Sequence, residues 1–189
     1  MCAKAAPLLV PAIATLCSSK HLSQRSSIES QMITFRKVTE EEFGIYEDFF
    51  IADYSKEISE NYGYSLKDSI AQAKRELDEG FPGGVALSGN YLVSIELTEI
   101  NKVESIGYLW YSLKKKSDYA FICDFYIRES YRGKGYGRAA FEVLEGLLVE
   151  SGTHQVRLRV AFTNARALKL YKEIGFEATG INMVKRLKV

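Results

Sequence analysis

"DYAFICDFYIRESYRGKGYGRAAFEVLEGLLVE" spans residues 118–150 and falls into three parts. Residues 118–127 form an apolar run that reads as a strand, apolar enough to lie centrally in a sheet. Residues 137–150 place Ala140, Phe141, Leu144, Leu147 and Leu148 on one side at helical spacing, so they read as an amphipathic helix. Between the two, Gly133, Gly135 and Gly137 alternate with Arg132, Lys134, Tyr136 and Arg138. "QVRLRVAF", 155–162, follows the helix as another strand. Strand, helix and strand make a βαβ unit, which demands a partly parallel sheet.

The glycine stretch admits two readings. One is a surface turn with solvated basic residues. The other is a phosphate cradle, because a helix N-terminus offers unpaired N–H groups and a partial positive charge. Glycines let the backbone approach an anion and adopt positive φ. No Lys-Ser/Thr follows the last glycine, so it is not a Walker loop. The spacing also differs from the dinucleotide fingerprint.

Upstream, "ITFRKV", 33–38, alternates as a first strand. Thr39 before "EEEF" is a helix entry: a cap, then carboxylates where the helix dipole favours them. That helix runs to about Tyr62, with Phe43, Tyr46, Phe50 and Tyr54 on one side, and Gly63 stops it. Ser65 caps a second helix to about Glu79, and "GFPGG", 80–84, is a loop. Strands are expected at about 90–99 and 104–114. Downstream, "NARALKLYKEIG" reads as a helix with Gly175 after its end, and "GFEATGINMVKRL" as a closing extended segment. The order is β-α-α-β-β-β-α-β-α-β. The fold class is α/β (α+β), a mixed central sheet with helices on both faces.

The chain has 189 residues, enough for one domain with a sizeable core. Its net charge of +1 gives no basic field to mark a nucleic-acid binder. Cys2, Cys17 and Cys123 show no metal or disulfide spacing, and with His21 and His154 alone, no metal site is expected. Residues 1–31 stand apart, with no Asp or Glu before Glu29 and an apolar run from Ala5 to Cys17. That run is too short to span a bilayer as a helix. The segment reads as a disordered tail or a targeting segment, with the single domain at 32–189. A cytoplasmic protein is expected, or an organellar one if residues 1–31 are a presequence.

The sequence resembles the GNAT N-acetyltransferase superfamily. "RGKGYG" fits its R/Q-x-x-G-x-G/A signature. About 30 residues on, "NARALKLYKEIGF" fits its second signature: Asn, a small residue, Leu-Tyr and Gly-Phe. The likeness covers Ile33 to Leu187 and is strongest to a bacterial branch with a Tyr-bearing first helix and a strand like "IGYLWYSL". It implies acetyl-CoA as co-substrate. Its pyrophosphate would lie on Arg132, Gly133, Lys134, Gly135, Tyr136, Gly137 and Arg138. Its pantetheine arm would lie along Phe125, Tyr126 and Ile127. Asn164 matches an asparagine contacting that arm, and it also reads as a plain N-cap.

The resemblance makes Tyr171 the general acid for the coenzyme A thiolate. Asn164 and Tyr171 are about two helical turns apart, on one face. For the base, the residues suggest Asp124, a carboxylate in an apolar strand, on the same side as Tyr126. A hydrogen-bonded structural aspartate is the equal alternative. Cys123, on the other face, reads as core. Tyr54 and Tyr64 are expected to line an acceptor pocket, while Glu47, Asp48, Asp53 and Glu57 read as a solvated face or as a lure for an ammonium group. The expected function is N-acetyl transfer from acetyl-CoA to a primary amine by direct attack in a ternary complex. The acceptor would be a small-molecule amine or a peptide or protein amine. No nucleic acid or membrane partner is expected, and a homodimer is left open. The alternative is a non-catalytic acyl-CoA sensor with the same fold.

Overall fold

The computed structural model describes residues 31–85, 89–114, 118–185 and 187. The expectation for the N-terminal segment, Gln31 apart, lies outside the described residues. The elements are β1 (Met32–Lys37), α1 (Glu40–Tyr62), α2 (Leu66–Gly80), β2 (Asn90–Glu99), β3 (Lys102–Lys114), β4 (Tyr119–Ile127), α3 (Tyr136–Glu150), β5 (Gln155–Leu158) and α4 (Ala165–Glu173). A short 3-10 turn, Glu129–Tyr131, links β4 to the glycine stretch. The sheet runs β1-β2-β3-β4-β5. The first four strands are antiparallel neighbours, and β5 pairs parallel to β4. The mixed sheet expected from the βαβ unit is therefore present.

Strand alternation sorts the core onto two faces. Val93, Ile95, Leu97, Leu109 and Ile122 pack against Phe141, Leu144 and Leu148 of α3. Leu92 and Trp110 pack on the other face against Tyr46, Phe50 and Leu77 of α1 and α2. The entry of α1 is a full capping box: Glu42 N–H donates to the Thr39 hydroxyl, and Thr39 N–H donates to Glu42 Oε2 at 2.9 Å. Arg36 of β1 donates to both Glu42 oxygens and to Glu96 of β2, tying the helix start to the sheet.

Three local expectations change. The closing segment 176–185 makes no strand ladder among the described residues. Gly175 and Gly180 lie within five residues of each other, and glycine weakens a strand. The strand expected at 155–162 ends at Leu158. Cys123 is exposed, not core. Trp110 pairs with Asp124 and Tyr111 with Ile122, so Cys123 is the extra residue of a β-bulge, which breaks simple alternation.

Candidate active site

β5 pairs only with Tyr119 to Ile122 of β4, while β4 continues to Ile127. Beyond Ile122, β4 has β3 on one side and no strand on the other among the described residues. The bulge at Cys123 sits at the point of divergence and increases local twist there. Arg128 N–H donates to the Ile106 carbonyl at 2.8 Å. Antiparallel alternation then turns the backbone of Tyr126 toward β3 and that of Phe125 and Ile127 toward the split. The Ile127 carbonyl accepts from Arg132 Nε at 2.7 Å on that open side. Of the three strand residues expected to hold a pantetheine arm, two thus present backbone to the split; Tyr126 has only its side chain to offer.

The glycine stretch lies at the mouth of the split. Gly133 and Gly135 adopt φ of 75° and 87°, the left-handed region that favours glycine. Gly135 is the N-cap of α3 and provides no side-chain cap, so first-turn N–H groups lack a side-chain acceptor. A Cβ at Gly133 or Gly135 would meet no atom within 4 Å, so this face of the loop is open. Gly137 differs: its Cβ would come 3.2 Å from the Leu170 side chain of α4 and 3.8 Å from the Phe125 ring, so this side of the loop is filled. The guanidinium of Arg132 lies 5.2 Å above the Tyr126 ring, and Lys134 lies 5.5 Å from the Tyr131 ring. Arg138 turns away, donating to Glu173 Oε2 at 3.0 Å. Tyr136 donates its hydroxyl to Gln31 at 3.1 Å. An open strand edge leading to an uncapped helix N-terminus fits an elongated ligand that ends in phosphate.

Asp124 and Tyr171 approach the split from opposite faces of the sheet. Asp124 faces α1, where the hydroxyl of the fully buried Tyr46 donates to its Oδ2 at 3.0 Å. Burial pushes the Asp124 carboxyl up to about 7, against the Tyr46 hydrogen bond, and negative Asp53 and Glu57 push the same way. Tyr171 packs on Phe141 and Phe176 at 5.7 and 5.5 Å between ring centroids. Its hydroxyl has no hydrogen-bond partner among the described residues. Burial raises its pKa, and the charges of Asp124 and Glu57 add to the rise.

The remaining expected residues separate. Asn164 is the N-cap of α4, accepting from Ala167 N–H at 3.1 Å. Tyr54 joins α1 to α2, donating to Glu76 at 2.9 Å. Tyr64 is 50% exposed beyond α1, beside Tyr62. Of the four acids weighed on α1, Asp53 and Glu57 act on Asp124. Arg159, just past β5, lies over Tyr62 and also acts on Glu57. The Tyr46 bond to Asp124 escapes sequence reasoning, since an aromatic stripe at helical spacing reads as core.

The profile of the acetyltransferase (GNAT) family matches residues 47–176. The uncharacterized N-acetyltransferase YycN of Bacillus subtilis is 30% identical over 149 residues, 78% of this chain and 94% of its own length. The uncharacterized N-acetyltransferase YdgE of the same organism is 27% identical over 157 residues, 82% of this chain and 98% of its own. The crystal structure of YycN, a putative acetyltransferase, matches with a TM-score of 0.76 at 29% identity, covering 84% of this chain and all of that one.

Proposed function

The chain belongs to the GNAT acetyltransferase family, and from that premise we propose that it transfers an acetyl group from acetyl-CoA to a primary amine by direct attack in a ternary complex. The observation that carries this reading is the free edge of β4 running into the uncapped N-terminus of α3. When bound, acetyl-CoA supplies the acetyl group as an activated thioester. Gly133, Gly135 and the first N–H groups of α3 would hold its pyrophosphate, with Arg132 and Lys134 adding charge. The backbone groups of Phe125 and Ile127 would pair with the pantetheine arm. An N–H on this edge would steady the carbonyl oxygen as charge builds there.

The amine must lose a proton to attack, and in this reading Asp124 would take it. A carboxyl near 7 serves that task at neutral pH better than one near 4. Tyr171, held protonated by its burial, would give its hydroxyl proton to the departing thiolate. The acceptor would enter from the side of α1 and α2, past Tyr54 and Tyr64.

Calorimetric titration of acetyl-CoA into the full chain, with ATP and NAD as controls, tests the donor. A thiol-release assay with a polyamine, an amino sugar and a peptide N-terminus then tests transfer. Saturable binding of acetyl-CoA alone, with thiol release, supports the reading. No binding by a folded chain overturns it. Binding without transfer to any amine puts the acyl-CoA sensor in its place.

A further inference from the structure

We propose that Tyr46 is the positioning residue for the base: its buried hydroxyl pins one oxygen of Asp124 and orients that carboxylate at the split. The inference rests on the acetyltransferase reading for its catalytic consequence, though not for its geometry. Tyr46 lies on α1 and Asp124 on β4, so the bond joins the acceptor-side helix to the strand that borders the split. Tyr46 is 0% exposed and surrounded by Phe43, Phe49, Phe50 and Tyr108, with ring centroids 5.2–6.5 Å away. No water can replace its hydroxyl there without disturbing the cluster. Oδ2 accepts from Tyr46, while Oδ1 takes no side-chain hydrogen bond among the described residues. Tyr46 therefore fixes one oxygen of the carboxylate from the α1 side.

The groups acting on Asp124 come from each neighbouring element. From α1, Asp53 and Glu57 disfavour its charge and Tyr46 favours it. From its own strand, the Phe125 N–H favours the charge. From α4, Tyr171 shares its field. From β3, Tyr108 packs its ring on Tyr46 and Trp110 pairs with Asp124, while Tyr108 and Cys123 of β4 also act on Tyr46. Arg159 offsets Glu57 at one remove. Tyr46 is the side-chain donor that opposes burial, so its removal should shift the carboxyl in one direction only, upward.

The test is Tyr46→Phe, which keeps the ring and removes the hydroxyl. Phe50→Leu, in the same cluster but not bonded to Asp124, serves as the packing control. Two readouts are taken with each full-length protein. Carbon-detected NMR titration of the Asp124 carboxyl needs no turnover, so it stands whether or not the acetyltransferase reading does. The pH profile of kcat/KM, with the same amine throughout, reads the catalytic consequence. Tyr46→Phe should raise the Asp124 midpoint by about one pH unit and move the acid limb of the profile the same way, with activity recovering at high pH. Phe50→Leu should lower Tm and leave both midpoints in place. An unmoved Asp124 midpoint in Tyr46→Phe overturns the proposal. So does a midpoint that moves while the profile stays fixed, because Asp124 is then not the base.

Discussion

Gly107 of β3 lies so close to Tyr126 of β4 that a Cβ on the glycine would collide with the Tyr126 carbonyl oxygen. Only a residue without a side chain lets β3 draw β4 in at this point. Tyr126 adjoins Phe125 and Ile127, whose backbone forms the open edge. Gly107→Ala should therefore cost about 1–3 kcal/mol of stability, visible as a lower Tm. It should also weaken acetyl-CoA binding, because relief of the clash must push β4 toward the split. Unchanged binding in the destabilised variant would mean that the edge does not carry the ligand.

The three glycines of the loop should answer differently to the same change. At Gly133 and Gly135 a Cβ has space but the positive φ resists it, so alanine must strain or rearrange the loop. Acetyl-CoA affinity should fall by about tenfold or more, with Tm little altered. At Gly137 the φ is helical and the obstacle is Leu170 at 3.2 Å, so alanine should act through α3–α4 packing and chiefly lower Tm. Calorimetry and thermal denaturation on the three variants separate these effects. Equal behaviour at all three positions would return the stretch to an ordinary turn.

How far the sequence led can be judged at particular residues. The Thr39 cap was legible because its acceptor role needs only the first turn of the helix, whereas the reciprocal bond to Glu42 came from the structure. The βαβ unit was legible because its periods change from 2 to 3.6 across a glycine stretch. The bulge at Cys123 was not, since it is a property of two strands in register and neither strand alone carries it. The closing segment reads as extended, but extension alone does not decide whether a strand finds a ladder, and 176–185 pair with none among the described residues. Asp124 stood out as a charge in an apolar run. Its donor Tyr46 did not, because 78 positions separate them and its hydroxyl is invisible to an apolar pattern.

Tyr171→Phe should leave acetyl-CoA affinity near its original value and lower kcat by about 10²-fold. The hydroxyl has no hydrogen-bond partner among the described residues, so the fold should suffer little. Burial and the nearby carboxylates raise the Tyr171 pKa, so the wild-type group stays protonated through neutral and mildly alkaline pH. The deficit should accordingly be constant across that range. Rapid-quench measurement of the acetylated amine at several pH values checks this. Full activity in the variant would assign the proton to water.

Asp124→Asn should move stability and turnover in opposite directions. The folded chain raises this carboxyl from 3.8 to about 7, so it binds a proton more readily folded than unfolded. Between those values the folded state holds more protons, and stability must fall as pH rises through the window. Above about 7 the penalty is complete. Below about 4 it is absent. Asparagine keeps an oxygen to accept from Tyr46 and carries no charge, so it escapes the penalty. Its Tm advantage over wild type should be small near pH 4 and largest near pH 8, while thiol release falls steeply at every pH. A residue retained at a cost to stability where it is charged is what a proton acceptor in a buried site requires. A Tm difference that stays constant with pH would show that Asp124 ionises normally, and would remove the reason to choose it as the base.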